Sequence, residues 1–292
     1  MSAAANVIAF QGHPGAYSHM ACRAVHPDRE VLPCESFEDV FQAVESGAAR
    51  LAMLPIENSV AGRVADVHHL MPQSTLHIVG EHFQRVQHQL VGVKGATLDG
   101  LEVVHSHVMA LGQCRKMIRR LGLKPLVHAD TAGAAADVAA RGDAAHGAIA
   151  SELAAEIHGL RILASDIEDA EHNHTRFLVL AREPMTPEAG SGPVVTSLIF
   201  RVRSVPASLY KALGGFATNG VNLTRLESYM VGGAFTAAQF YVDAEGHPDE
   251  RPMQLALEEL RFFAREVRVL GTYPAHPYRV ESEKLAAQAF AD

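Results

Sequence analysis

The sequence predicts an α/β protein of two domains: a larger one built on largely parallel sheets and a smaller ferredoxin-like βαββαβ unit. Three observations predict it. Up to about residue 182, short apolar runs alternate with helical patterns at the spacing of βαβ units. The stretch REPMTPEAGSGP (182–193) then sets three prolines and two glycines into twelve positions, the composition of a linker. Beyond it the order changes to strand, helix, strand, strand, helix, strand. The length of 292 residues suits two domains at a soft prior of ~150 residues each.

The elements follow in order. NVIAF (6–10) reads as a strand, and a helix follows from Ala16 to Val25. FEDVFQAVESG (37–47) is helical and closes on a glycine suited to the position after a helix. RLAMLPIENS (50–59) is a strand ending in polar residues, with a helix through VADVHHLM after it. Residues 76–95 hold two β-rich runs with no helix between them, which marks a crossover between two lobes near 78–95. LEVVHSH leads to one helix, MALGQCRKMIRRLG; PLVHADT leads to AGAAADVAARG; HGAIAS leads to ELAAEIHG. LRILASD and then HTRFLVLA complete the larger domain, the return crossing lying near 172–182. After the linker come the strand VVTSLIFRVR, the helix PASLYKALGGFATNG, and the strands VNLTRLESYMV and AFTAAQFYVDA. The helix PMQLALEELRFFARE, the strand VRVLGTYP and a helical tail from Tyr278 to Asp292 close the chain.

Composition narrows the function classes. A hydrophobic fraction of 48% and a charged fraction of 20% suit a globular chain with a large core. A net charge of −8 with no Lys/Arg block speaks against nucleic acid, which needs a concentrated basic face. Three cysteines at spacings that fit no zinc motif read as free thiols in a reducing cytoplasm. MSAAANVIAF has no charged n-region, so no signal peptide is expected, and no apolar run reaches a membrane span.

Polar residues recur at strand ends: Glu57, Asn58 and Ser59; His105, Ser106 and His107; Asp130 and Thr131; Ser151. Each alone is an N-cap of the next helix. In parallel α/β sheets the strand ends share one edge, so together they can also aim helix N-termini at one crevice, which favours a carboxylate. QGHPGAYS (11–18) adds Gly12 and Gly15, which allow close backbone approach, but it has neither the dinucleotide fingerprint nor the Walker lysine. Thr175 and Arg176 open the last strand of this domain. One reading has Thr175 donating to a departing oxygen while Arg176 clamps a carboxylate. The other has Arg176 on a wet face and Phe177 in the core. Histidines 105/107 and 172/174 share i,i+2 spacing without a complete metal set, and no nucleophile elbow appears.

FQGHPGAYS, LPIENSVAGRV, SHVMALGQC and HTRFLVL, in that order, resemble the catalytic domain of prephenate dehydratases. The βαββαβ unit, with LYKAL and NGVNLTRLES, resembles the ACT regulatory domain of that family. The resemblance implies a catalytic domain over 1–184 with two lobes like a periplasmic binding protein's, a linker at 185–193, an ACT domain over 194–277 and a tail at 278–292. It implies a lyase that removes water and carbon dioxide from prephenate, giving phenylpyruvate for phenylalanine synthesis, with no metal and no cofactor. Thr175 carries over as the key hydroxyl, with Glu57, Asn58, Ser106 and Gln113 as catalytic residues. Glu57 is either a proton relay or a cap. Arg176, Phe177, Ser59, His107, Gly15, Ala16 and Tyr17 are the expected substrate contacts.

By the same resemblance, L-phenylalanine binds between ACT domains at Ala207, Ser208 and Leu209 with Asn222, Leu223, Thr224, Glu227 and Ser228. Here Ala207 stands where the family's motif has glycine, and ESYM replaces ESRP. The alternative for this domain is dimerisation alone. A cytoplasmic homodimer or homotetramer is expected, without nucleic-acid or membrane partners. Two rival functions share the cleft: arogenate dehydratase, and a non-catalytic sensor of carboxylates or amino acids.

Overall fold

The computed structural model describes residues 6–170, 172–203, 205–230 and 237–289. The chain divides into two compact units: the first comprises the chain to Ser74 with His82–Leu178, the second Thr75–Glu81 with the chain from Val179.

Strand–helix alternation holds through the first part. In order come β1 (Val7–Gln11), α1 (Tyr17–Val25), β2 (Glu30–Cys34), α2 (Phe37–Ser46), β3 (Leu51–Asn58), β4 (Gly62–Arg63), α3 (Ala65–Leu70) and β5 (His77–Arg85). The chain continues with β6 (Gln89–Gly92), β7 (Val103–His107), α4 (Val108–Gln113), α5 (Arg115–Arg120), β8 (Lys124–His128) and α6 (Thr131–Arg141). It then forms β9 (His146–Ala150), α7 (Glu152–His158), β10 (Arg161–Ala164) and β11 (His174–Ala181). One sheet runs β2-β1-β3-β11-β5 with β4 on β3, and the other runs β10-β6-β9-β7-β8. In β1, Ile8, Ala9 and Phe10 are all fully buried, as a parallel strand covered on both faces requires. Leu90, Val104, Ile118 and Ile149 hold the core of the second sheet.

The sheets are mixed, not largely parallel. β1 pairs in parallel with β2 and β3, and β7 with β8 and β9. β6, however, runs antiparallel to both β9 and β10. The expected helix over 109–122 is two helices, because Cys114 leaves the helical region (φ −121°, ψ 28°). The sequence reading also passed over β2. Pro33 hides it, yet Pro33 sits in a strand at the sheet edge, where a missing N–H is tolerated. α2 matches expectation closely: Ser36 and Asp39 form a capping box, and Gly47 closes the helix at φ 86°.

Residues 182–193 hold neither helix nor strand. β12 (Val194–Val202), α8 (Ser208–Thr218), β13 (Leu223–Met230), β14 (Ala237–Glu245), α9 (Arg251–Phe263) and β15 (Ala264–Pro274) follow. Their sheet runs β13-β14-β12-β15, the ferredoxin-like order. Leu198, Phe200, Phe216, Val242 and Leu257 form its core. α10 (Tyr278–Ala289) ends the described chain. Residue 231 of one expected strand, residues 234–236 of the next and 290–292 of the expected tail helix lie outside the described residues.

Candidate functional site

A cleft of about 510 Å³ opens in the first unit where strand ends and helix starts from both sheets meet. The first turn of α1 contributes Ala16, Tyr17 and Ser18, and the start of α6 contributes Thr131. Asn58, Gly62, Arg63 and Asp66 come from the end of β3 and the segment after it. His88, His107, Gln113, Asp130, Thr175 and Phe177 complete the polar and aromatic lining that bears on chemistry. Three of the four expected caps form: His107 accepts from Met109 N, Asp130 from Gly133 N and Ser151 from Ala154 N.

Thr175 is held by the first turn of its strand. Ser59 Oγ donates to His172 O and accepts from His174 N, while Ser59 N donates to His174 O, stitching the loop after β3 to the start of β11. Asn58 then reaches Thr175. Its Oδ1 accepts from the amides of Val60 (3.0 Å) and Ala61 (2.8 Å), so its Nδ2 must face the other way. That Nδ2 donates to Asn173 Oδ1 (2.7 Å) and Thr175 Oγ1 (3.0 Å). With an acceptor site on Oγ1 occupied, and no other side-chain partner for it among the described residues, the threonine proton is available to the cleft.

Gln113 Oε1 accepts from Asn173 Nδ2 (3.0 Å) and meets His88 Nε2 at 2.8 Å. The other face of His88 meets Tyr17: its Nδ1 lies 2.9 Å from the tyrosine hydroxyl, which also donates to Gln87 O. Burial pushes the pKa of His88 down, opposed by the contacts with Gln113 and Glu168. Burial pushes that of Tyr17 well up, helped by Cys114 and Glu168, so the phenol stays protonated. Burial also lowers His107, with Asp130 opposing. Among the described residues, no group of three or more His, Cys, Asp or Glu is arranged to hold a metal ion.

Seven of the twelve expected catalytic and substrate-contact residues therefore line the cleft: Thr175, Asn58, Gln113, Phe177, His107, Ala16 and Tyr17. Five turn elsewhere. Arg176 is buried, with Nη1 3.4 Å from Glu57 Oε1 and its guanidinium over the Phe83 ring, so it clamps Glu57 instead of a ligand. Ser106 is fully buried and donates to Ile149 O at 2.6 Å. Ser59 serves the loop, and Gly15 (φ 97°) packs against α7, where a Cβ would lie 2.6 Å from Ala154 Cα. Arg63, Asp66, His88 and Asn173 were missed, while Gly12, Asp130 and Thr131, read from the sequence as turn and cap residues, line the cleft as well. Asn173 stood next to a quoted motif, but nothing in one sequence joins it to Asn58, 115 residues away.

In the second unit, Ala207 precedes α8 in the left-handed region (φ 63°). Ser208 and Leu209 line a cavity with Arg203 and Val205, which none of Asn222, Leu223, Thr224, Glu227 or Ser228 reaches. Asn222 bonds Glu245, Thr224 accepts from Arg279, Glu227 accepts from Arg225, and Leu223 packs on the core. Ser228 is exposed on β13, a strand at the sheet edge.

A cleft edged by helix starts and lined by hydroxyl, amide and carboxylate groups is of the kind that takes a small polar ligand within an α/β frame. The comparisons narrow that class. The prephenate dehydratase family model matches residues 8–185. A bifunctional N-acyl-homoserine lactone acylase/prephenate dehydratase of Komagataeibacter europaeus is 53% identical over 94% of this chain and 97% of its own length. Arogenate dehydratase/prephenate dehydratase 1 of Arabidopsis thaliana is 42% identical over 91% of this chain and 71% of its own. The crystal structure of prephenate dehydratase from Arthrobacter aurescens in complex with L-Phe is 28% identical, with TM-score 0.85 over 98% of each chain. The chain belongs to the prephenate dehydratase family and is a lyase of the dehydratase kind.

Proposed function

We propose that the chain converts prephenate to phenylpyruvate, and that its βαββαβ unit is an ACT domain through which L-phenylalanine inhibits the reaction. The observation that carries the reading is the Thr175 hydroxyl, whose oxygen accepts from Asn58 and whose proton is left for the cleft. Prephenate carries two carboxylates and a ring hydroxyl. The bond from ring carbon to carboxylate breaks and its electron pair enters the ring; the C–O bond breaks, and the departing oxygen takes up a proton from solvent water to leave as water. Aromatisation drives both changes, so the residues' task is to hold the dianion and stabilise the departing oxygen. Thr175 donates to that oxygen as a hydrogen-bond donor, an unperturbed threonine being too weak an acid to be deprotonated. Asn58 holds Thr175, Gln113 offers its amide to the substrate, and the uncapped start of α1 with Arg63 attracts the carboxylates. Glu57 and Arg176 support the strand from behind.

The domain organisation belongs to the same proposal: a catalytic domain over 1–184, a linker at 185–193, an ACT domain over 194–277 and a tail beyond. A homodimer or homotetramer formed through ACT domains would bring the segment at 207–209 of one copy to that at 222–228 of another. L-Arogenate is a second substrate reading, favoured by Asp66 and Asp130 in the cleft, which can pair with an ammonium group. The test is phenylpyruvate formation from prephenate, with and without L-phenylalanine, beside phenylalanine formation from arogenate. An N-acyl-homoserine lactone offered to the same preparation reads whether the acylase activity in the first relative's name is shared. Thr175→Val is expected to lose ~10²–10³ in kcat. Near-normal turnover in that variant, correctly folded, defeats the assignment.

A further inference from the structure

We infer that His88 is a positioning residue: from beneath the cleft it holds Gln113 so that the amide N–H groups, and not the carbonyl, face the substrate. The inference deepens the reading of the cleft as the prephenate site and rests on it.

The hydrogen-bond directions follow from two backbone amides. Val60 N and Ala61 N can only donate, so the Asn58 atom they meet is oxygen. Asn58 therefore turns nitrogen to Asn173, and the atom it meets there, at 2.7 Å, must be oxygen. Asn173 in turn presents nitrogen to Gln113, whose atom at 3.0 Å must be oxygen. His88 Nε2 lies 2.8 Å from that same oxygen and must carry a proton. In the neutral ring this leaves Nδ1 bare, facing the Tyr17 hydroxyl. A protonated ring keeps the same Nε2–H, its Nδ1–H donating to Tyr17 while Tyr17 donates to Gln87 O.

The consequence lies at Gln113. Its oxygen is held by two donors, from Asn173 and His88, both nearly fully buried. Its Nε2 has no partner among the described residues, and Gln113 lines the cleft. A reversed amide would set a carbonyl oxygen against an anionic ligand and put two N–H groups against the donors of Asn173 and His88. Tyr17 carries one proton for two acceptors, so it satisfies a bare Nδ1 only when that proton turns from Gln87 O to the ring. His88 touches the reaction only through Gln113.

Two experiments on the full chain test this. Long-range 1H–15N correlation spectra at neutral pH should show His88 with a protonated Nε2 and a bare Nδ1; the opposite tautomer overturns the inference, whatever the substrate proves to be. The second is a kinetic cycle on prephenate. His88→Leu should lose ~10- to 100-fold in kcat/KM, and His88→Gln, which returns an N–H near the Nε2 position, should recover most of it. In a Gln113→Leu background, His88→Leu should cost less than about twofold more. Full additivity, or no recovery in His88→Gln, overturns the inference by making His88 merely structural. Should His88→Leu fail to fold, His88→Gln and the spectrum decide. An unmodified chain inert toward prephenate, with the expected tautomer, counts against the substrate reading and leaves the arrangement of Gln113 standing.

Discussion

Glu57→Gln separates support from chemistry at a residue whose role the sequence left open. Arg176 keeps its charge inside the protein, 3% exposed, with Glu57 Oε1 3.4 Å from Nη1. At an effective dielectric constant of about 20, two unit charges at that separation attract by ~5 kcal/mol. Three things reduce the net loss. The Glu57 side chain is 30% exposed, the new amide still offers an oxygen to the guanidinium, and the glutamate's own desolvation cost disappears. The expected destabilisation is therefore ~2 kcal/mol, or ~4–8 °C in Tm for a unit of this size. Thermal unfolding followed by circular dichroism reads it, beside kcat at a temperature where both proteins are folded. Support from behind the strand predicts the Tm loss with a kcat reduced less than ~10-fold, since Glu57 does not line the cleft. An unchanged Tm with a kcat loss of ~10² or more would refute the reasoning and return Glu57 to the proton relay.

Two further outcomes follow from the same geometry. Ala207 holds φ 63° at the start of α8, where a Cβ is strained, so Ala207→Gly should raise stability by ~0.5 kcal/mol once the greater freedom of the unfolded glycine is counted; a lowered denaturation midpoint would contradict it. Burial depresses the pKa of His88, so below pH ~6.5 the unfolded chain takes up this proton more readily than the folded one, and stability falls as pH drops toward the folded value. His88→Gln cannot titrate there, while His19, His105 and His107, also depressed by burial, keep their share of the slope. The Tm gap between the two proteins should therefore narrow from about pH 7.5 to about pH 5.5, and parallel curves would count against a neutral, buried His88.

What the sequence made legible was whatever local chemistry decides. α2 announced itself through its helical pattern and Gly47, and the Ser36–Asp39 capping box that also starts it is equally local. β11 announced itself as an apolar run, and its polar first turn does reach the cleft. Illegible were the features that depend on a distant partner. The direction of β6 is set by pairing with β9, nearly sixty residues on, and β2 becomes a strand only because β1 offers it an edge. The break at Cys114 interrupts a good helical pattern, and nothing local marks it. Site residues divide the same way. Motif resemblance brought Glu57 and Ser106 forward beside Thr175, and residue chemistry brought Gly15 and Arg176. A motif, however, mixes residues that face the ligand with those that hold them, and only burial and hydrogen-bond direction separate the two.

That separation decides what the cleft uses to hold an anion. With Arg176 turned to Glu57, three resources remain near the strand ends. The start of α1, which has no side-chain cap, offers dipole attraction of ~0.3–1 kcal/mol, whereas that of α6 is already met by the Asp130 carboxylate. Arg63 is exposed on a two-residue strand, where a single ion pair contributes ~0–1 kcal/mol. Hydrogen bonds to a charged ligand contribute ~1.5–3 kcal/mol each, and Thr175 and Gln113 supply at least two donors. Directed donors thus outweigh diffuse charge here, and donors act only if they point the right way. In this cleft the direction is fixed from behind, by acceptors already filled: Thr175 Oγ1 by Asn58, Gln113 Oε1 by Asn173 and His88. The fully buried partners carry no charge of their own that must be balanced, so the arrangement costs less desolvation than a buried arginine aimed at the ligand would. Donors whose direction neutral partners fix from behind suit a substrate that loses one of its own charged groups as carbon dioxide, because they need no counter-charge once that group has left.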